Sequence, residues 1–372
     1  MHFVLAGGGT AGHIHPAVAM AQLLKEAYPS ATFTFLGRKS SMEETIIREK
    51  GYAFLPVEIE GLKRKSVLKN ISVLKKARKA VRTVKTELQK NPPDIVFGTG
   101  GYVSYPLIKA ASELNIPAVL HESNSVPGLS VKISAKAATC VLTQFEETAT
   151  ALSRFCPSFC VGALLMKEVH EQNQMTCKAN LGIPGEDFLV VSFGGSQGAE
   201  AVNEACLSFM KNRLPAYPSL RWIHASGEKH YSALRSQYPD LPENAVLLPY
   251  IRNMGLYMNA ADLLVTRSGA LTLGEISALG KPSLLIPSPF VPGNHQYRNA
   301  RVYQKNGAAF LLQEEDLSPA SLEEKIVFLR QNPSLLRRMG RAAKAMTNKN
   351  TKELFLSYTE HILQGKPFSA KK

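Results

Sequence analysis

Phe188-Leu189-Val190-Val191-Ser192-Phe193-Gly194-Gly195-Ser196-Gln197-Gly198-Ala199 reads as a buried strand running into a glycine turn, with a helical pattern from about residue 200 to 211 behind it. The chain opens the same way. Residues 2–6 are a short apolar strand, Gly7-Gly8-Gly9-Thr10-Ala11-Gly12-His13 is the turn, and residues 16–24 carry the apolar spacing of a helix. Strand, glycine turn and helix begin a nucleotide-binding α/β domain, because the turn lets a phosphate approach the amides at the helix start. Written once in each half of a 372-residue chain, the pattern predicts two such domains.

Outward from these turns, strands and helices alternate. Apolar runs at 32–36, 53–57, 94–97 and 117–120 in the first half, and at 221–224, 245–248, 262–265 and 283–286 in the second, predict doubly wound parallel sheets. The run at 94–97 ends in a second glycine turn, Gly98-Thr99-Gly100-Gly101-Tyr102-Val103-Ser104-Tyr105-Pro106, on the same sheet edge as the first. The run at 117–120 ends in the polar cluster His121-Glu122-Ser123-Asn124, at the strand end where open α/β sheets bind ligands. An irregular stretch at 161–167 marks a boundary between domains 1–162 and 163–372, and from 317 onward only Arg- and Lys-rich helical patterns remain, the last of them able to pack back on the first domain. The expected fold class is α/β, two facing Rossmann-like domains around a deep interdomain cleft.

Composition narrows the function. Lys and Arg number 44 against 30 Asp and Glu, a formal charge of +14 that favours nucleic acid, an anionic membrane surface or phosphorylated substrates. Five scattered cysteines (Cys140, Cys156, Cys160, Cys177, Cys206) signal neither a disulfide framework nor a zinc site, and fit a reducing cytoplasm. The N-terminus reads as a first strand and not as a signal peptide, and no apolar run reaches spanning length, which leaves peripheral contact as the membrane option. From residue 62 to 90 there are 11 basic residues and only Glu87 is acidic. Lys63-Arg64-Lys65 precede an amphipathic helix in which Leu68, Ile71, Leu74, Val81, Val84 and Leu88 share one side, and Lys69, Lys75, Lys76, Lys79 and Arg82 the other. Such a helix is either a solvated outer helix or one whose basic side meets anionic lipid, worth about 1 kcal/mol per well-placed cation.

Two stretches carry candidate chemistry. Arg267-Ser268-Gly269-Ala270-Leu271-Thr272-Leu273-Gly274-Glu275 follows an apolar strand, and a helix starting at Ser268 would place a capping hydroxyl, the Thr272 hydroxyl and the Glu275 carboxylate on one face. Amides at that end favour an anion and the carboxylate can take two hydroxyls, so a diphosphate beside a ribose diol fits; an ordinary capped helix with a surface glutamate fits too. His13 stands at a helix start, where the dipole favours the neutral imidazole of a general base; the alternative is a histidine that caps the glycine turn. Gly7, Gly9 and Gly12 also satisfy the dinucleotide fingerprint, but Gly37-Arg38 stands where NAD needs an acidic residue, which leaves an NADP oxidoreductase as a competing reading. A nucleotide held by one domain would present its group to an acceptor held by the other. That is transferase logic, and it needs no bound metal if helix N-termini carry the diphosphate charge.

Taken in order, the three glycine turns (7–13, 98–106, 194–199), His121-Glu122-Ser123-Asn124, the 267–275 stretch, and His295-Gln296 with Asn299-Ala300 closely resemble the bacterial MurG-type UDP-N-acetylglucosamine:undecaprenyl-pyrophosphoryl-N-acetylmuramoyl-pentapeptide transferases, over essentially the whole chain. The resemblance implies a glycosyltransferase-B fold and inverting transfer of N-acetylglucosamine from UDP-N-acetylglucosamine to the 4-hydroxyl of the lipid-linked muramoyl acceptor in peptidoglycan synthesis. It implies that the Ile251 backbone reads the uracil edge, that Glu275 holds the ribose hydroxyls, and that Ser196, Ser268, Leu271 and Thr272 serve the diphosphate, with Gln197 in the same donor-binding set. His295 and Gln296 match the pair on the sugar hydroxyls. Thr10, Ala11, Gly12, His13 and Asn124 match groups that face the sugar and acceptor, with His13 the favoured base and Glu122 its rival. It further implies no cofactor, no metal, no nucleic-acid partner, a peripheral place on the cytoplasmic face of the inner membrane, and cell-wall or division proteins as partners.

The chain departs from the family pattern in places. Ala11 and Tyr105 stand where the family usually has glycine, and Val161-Gly162-Ala163-Leu164-Leu165-Met166 replaces a VGNPVR segment, so Met166 stands where an arginine near the nucleotide would be, with Lys167 the neighbouring cation. Another lipid glycosyltransferase, or a UDP-sugar epimerase of the same fold, would share the nucleotide half; the 98–106 turn favours the cell-wall enzyme. A basic nucleic-acid module would leave the glycine turns idle.

Overall fold

The computed structural model describes residues 1–61, 67–167, 169–195, 198–366 and 368, with backbone alone at 11, 67–71 and 292. The chain forms two compact units, 1–167 with 348–372, and 168–347.

In the first unit the elements run β1 (His2–Ala6), α1 (Ala11–Ala27), β2 (Thr32–Arg38), α2 (Met42–Glu49), β3 (Ala53–Val57), α3 (Val67–Lys90), β4 (Ile95–Gly98), α4 (Ser104–Glu113), β5 (Ala118–Glu122), α5 (Leu129–Ala135), β6 (Cys140–Thr143), α6 (Glu146–Leu152) and β7 (Ser158–Cys160). The strands form one parallel sheet in the order β3-β2-β1-β4-β5-β6-β7. Strand periodicity divides β1 between two cores. Phe3 and Leu5 join Phe33, Phe35 and Phe97 under α1, whereas Val4 and Ala6 join Val96, Leu120 and the apolar sides of α3 and α4. Burial on both faces is why these strands read as continuous apolar runs.

The packed side of α3 is rotated from the expected one. Val73, Ala80, Val81, Val84 and Leu88 are buried, but Leu74 is 53% exposed. At 100° per residue Leu74 lies at the margin of the arc those residues define, and the helix packs on α4 through the arc's centre. The Lys63–Lys65 run and the side chains of Leu68, Lys69 and Ile71 lie outside the described residues.

The second unit holds α7 (Gln174–Asn180), β8 (Phe188–Phe193), α8 (Glu200–Asn212), β9 (Leu220–Ala225), α9 (Glu228–Gln237), β10 (Ala245–Leu248), α10 (Met254–Ala260), β11 (Leu263–Thr266), α11 (Ala270–Leu279), β12 (Ser283–Leu285), α12 (His295–Lys305), β13 (Ala309–Leu311), α13 (Pro319–Arg330) and α14 (Pro333–Ala345). Its parallel sheet has the order β10-β9-β8-β11-β12-β13. The last helix, α15 (Thr351–Leu363), returns to the first unit, where Phe355 is fully buried with its ring 5.8 Å from that of Phe97.

Each sheet has one place where strand order reverses, between β1 and β4 in the first unit and between β8 and β11 in the second. Loops leaving two such strands diverge to opposite faces and leave a crevice at the carboxyl edge. The glycine turns after β1, β4 and β8 and the 267–269 loop after β11 all start at these two crevices. Among the described residues no helix is long and apolar enough to cross a membrane.

Candidate active site

In the first unit the crevice is built around His13. Its Nδ1 lies 3.0 Å from the Thr99 carbonyl, and the Thr99 hydroxyl donates back to the His13 carbonyl at 2.5 Å. A carbonyl only accepts, so Nδ1 carries the proton of the neutral ring and Nε2 carries the lone pair. The ring is seated against the second glycine turn. Gly100 has φ of +98°, and a Cβ there would lie 2.8 Å from Nδ1, so any side chain would displace the imidazole. Ser104 holds that turn from below, its hydroxyl donating to the Ala6 carbonyl at 2.9 Å. His121, behind the site, is fully buried and its pKa is pushed down to about 3, mainly by burial and secondarily by His13, so it adds no charge.

Glu122 is arranged differently from a base. One carboxylate oxygen accepts the backbone and side-chain N–H groups of Asn124, both at 2.9 Å, and the other accepts the Gly128 amide at 2.9 Å. It is 3% exposed and organises the 123–128 turn, which presents Asn124. Thr10 is exposed at the start of α1, and its hydroxyl makes no cap. Gly12 follows in the first turn, while the Ala11 side chain lies outside the described residues.

In the second unit the expected cap at Ser268 is absent. α11 starts at Ala270 with Gly269 as its N-cap, and the Ser268 hydroxyl donates to the Gln296 carbonyl at 2.8 Å. Ser268 is fully buried beside α12, so its oxygen satisfies that neighbour rather than its own helix. The first turn of α11, which carries Leu271 and Thr272, therefore has no side-chain cap of its own. Thr272 and Glu275, three residues apart, share a face. Glu275 is 8% exposed, has no hydrogen-bond or ion-pair partner among the described residues, and burial pushes its pKa up to about 7. Gln296 accepts the Ser288 amide on Oε1 at 2.9 Å, which orients its side-chain NH₂ as a donor. α12, which also carries His295, is locked to α11 by the buried Tyr303 hydroxyl, which donates to the Leu273 carbonyl at 2.7 Å and lies 2.6 Å from the Ser277 hydroxyl. The backbone of Ile251 makes no hydrogen bond among the described residues, and its neighbour Tyr250 lies near enough to Glu275 to feel its charge.

Ser196 and Gln197 lie outside the described residues. The flanking Gly198 has φ of +74°, and a Cβ there would lie 2.3 Å from the Ser226 carbonyl. Beneath it runs a buried chain of polar groups: Trp222 Nε1 donates to Ser192 Oγ, Ser192 lies 2.7 Å from His224 Nδ1, His224 Nε2 lies 3.0 Å from Asn203 Oδ1, and Asn203 donates to the Ser226 carbonyl at 3.0 Å. Burial pushes the His224 pKa down to about 4, which keeps this chain neutral. Met166 packs against the first unit's core, and Lys167 is paired with Glu26. Among the described residues no three His, Cys, Asp or Glu side chains gather as a metal site.

Two doubly wound α/β units with such crevices are the architecture of the glycosyltransferase-B fold class. The glycosyltransferase family 28 N-terminal domain matches residues 3–143, and the family 28 C-terminal domain matches 189–355. The UDP-N-acetylglucosamine–N-acetylmuramyl-(pentapeptide) pyrophosphoryl-undecaprenol N-acetylglucosamine transferase of Carboxydothermus hydrogenoformans is 35% identical over the whole of both chains, and the transferase 1 of that name from Bacillus cereus is 38% identical over 93% of this chain and 95% of its own. A crystal structure of Acinetobacter baumannii MurG superposes with a TM-score of 0.76 at 25% identity, covering 96% of this chain and 99% of that one. A UDP-GlcNAc 2-epimerase from Neisseria meningitidis, at 12% identity and a TM-score of 0.68, shares the fold alone. The chain belongs to the MurG family of N-acetylglucosaminyltransferases.

Proposed function

We infer that this chain moves N-acetylglucosamine from UDP-N-acetylglucosamine to the lipid-linked N-acetylmuramoyl-pentapeptide by single inverting displacement, with His13 as the base. The muramoyl 4-hydroxyl attacks the anomeric carbon of the α-linked sugar, the bond from that carbon to the diphosphate oxygen breaks, and a β1→4 bond forms. The hydroxyl proton passes to Nε2 of His13, and UDP leaves with the bond's electron pair. The carrying observation is the Nδ1 contact to the Thr99 carbonyl, which makes Nε2 the proton acceptor. A retaining path needs a carboxylate nucleophile, and both oxygens of Glu122 are already acceptors of N–H groups.

The donor roles follow the second unit's chemistry. Glu275 accepts the ribose diol, the first-turn amides of α11 at Leu271 and Thr272 and the loop with Ser196 and Gln197 take the diphosphate, the Ile251 backbone reads the uracil edge, and His295 and Gln296 hold the sugar hydroxyls. Ser268 acts through Gln296 by fixing its backbone. Thr10, Ala11, Gly12 and Asn124 belong to the acceptor side. Proton NMR of the product tests the stereochemistry: a β-anomeric coupling supports single displacement, and an α-linked product removes it.

The lipid-linked acceptor calls for peripheral membrane contact, which we assign to the helical face of the first unit at the cytoplasmic side. α3 exposes Lys75, Arg78 and Arg82, and α5, across α4, exposes Leu129 and Ile133 around Lys132. Exposed apolar side chains among cations suit an anionic lipid interface. Of the three lysines singled out in the sequence, Lys76 pairs with Glu60 and Lys79 with Glu58, which leaves Lys75 as the one of them with no ion-pair partner among the described residues.

A further inference from the structure

The second unit holds a groove of about 540 Å³ that the transfer reaction does not use. It opens at the edge where the strands begin, lined by Phe188 at the start of β8, Asp262 ahead of β11 and Pro282 ahead of β12, so it lies opposite the donor crevice. The ten residues of α11 separate the two: Leu271 and Thr272 stand at its donor end and Leu279 at the groove, about 11–12 Å apart at the rise of an α-helix. The wall is α14, pressed onto the end of α11 where a Cβ on Gly340 would lie 2.6 Å from the Gly280 carbonyl.

The charges around this groove are not balanced. Asp262 accepts Lys178 at 2.7 Å and the Leu189 amide at 2.7 Å, and Glu171 accepts Lys344 at 2.8 Å, so both acids are neutralised by lysines. Lys281, 9% exposed, is bonded to the carbonyls of Asn259 and Ala261. Among the described residues Arg330 donates only to the Ser219 hydroxyl. Arg337 and Arg341, one turn apart on α14, line the groove with no partner among the described residues. Three guanidinium groups without a carboxylate thus surround a concave site large enough for a small ligand. Guanidinium forks match phosphate oxygens bidentately.

We propose that this groove binds a phosphorylated anion at Arg330, Arg337 and Arg341, separately from the donor site. Either a soluble di- or polyphosphate or an anionic lipid headgroup supplies that chemistry. The test is calorimetric titration of the full-length protein with inorganic pyrophosphate in saturating UDP, which occupies the donor site. Binding should be measurable and should weaken about tenfold or more in Arg337→Glu/Arg341→Glu, as expected for losing two charge-assisted contacts, and UDP affinity should stay unchanged. Cosedimentation of the same variant with phosphatidylglycerol vesicles separates the sources: an undiminished lipid-bound fraction assigns the site to soluble phosphate, and a fall beyond that of a Lys75→Glu control assigns it to a headgroup. Arg337→Gln/Arg341→Gln, which adds no negative charge, should show the same loss of pyrophosphate. Absence of pyrophosphate binding in saturating UDP, or equal binding by the native and doubly substituted proteins, overturns the proposal. Neither result touches the donor assignment, which rests on UDP binding itself.

Discussion

Glu275 carries a pH signature that separates its two roles. Burial raises its pKa from the ordinary 4.5 to about 7, so in the free protein the ionised form is disfavoured. The sign follows: stability is full below about pH 4.5 and is lost as pH rises toward 7 and the buried group must ionise. Glu275→Gln should therefore be more stable than the native chain at pH 8 by roughly 2–4 kcal/mol, and the gap should close near pH 5. Chemical denaturation at both pH values checks this, and equal stability at pH 8 would mean that the carboxylate is not destabilised by its site. Binding runs the other way. A diol donates best to an ionised carboxylate, so the donor KM should climb as pH falls below about 7, and Glu275→Ala should raise it strongly; unchanged donor affinity in that variant removes the ribose assignment. Residue types at this scale were readable, since His13, Thr272 and Glu275 stood out as a base, a hydroxyl and a carboxylate. Their partners were not. Thr99, which sets the tautomer of His13, lies 86 positions away and meets it only because β4 pairs with β1.

At the scale of elements the basic helix gives the sharpest test. Charge reversal at Lys75, Arg78 and Arg82 should weaken binding to phosphatidylglycerol vesicles by about two orders of magnitude at low salt, and much less in high salt. Reversal of Lys76 and Lys79, which face Glu60 and Glu58, should do less. Equal binding of the unmodified protein to neutral and anionic vesicles would leave α3 a solvated face. The existence of α3 was plain from its period, but its rotation was not, because Leu74 and Val81 fit one stripe on paper and only contact with α4 decides which edge is covered. The start of α11 was misplaced for a related reason. A serine before a helix reads as a cap, yet the Ser268 hydroxyl goes to α12, a neighbour that no local pattern announces.

For the whole molecule, the twofold repetition of strand, glycine turn and helix was legible because parallel sheets buried on both faces leave continuous apolar runs. The division of the chain was harder. The first unit is completed by residues 348–372, since α15 supplies Phe355 and Ile362 to the core under β1 and β4. A helical pattern reports that one side is buried but not against which sheet. Phe355→Ala should destabilise the first unit by about 3–5 kcal/mol, the cost of an emptied aromatic site, and lower its unfolding midpoint while leaving UDP affinity nearly unchanged. An unaltered midpoint would mean that α15 is dispensable to that unit.

In the proposed mechanism the family's transfer reaction depends on one imidazole, that of His13. Initial rates of labelled N-acetylglucosamine transfer from UDP-N-acetylglucosamine to a lipid-linked muramoyl-pentapeptide, measured with the native protein, His13→Ala and Glu122→Gln at saturating donor, test it most directly. The native chain should form the β1→4-linked product, and His13→Ala should lose about 10²–10⁴-fold in kcat with its donor KM nearly intact, the range for a positioned base. If His13→Ala keeps most of kcat while Glu122→Gln abolishes turnover, the base is Glu122 and the contact between His13 and Thr99 serves only to hold the first glycine turn.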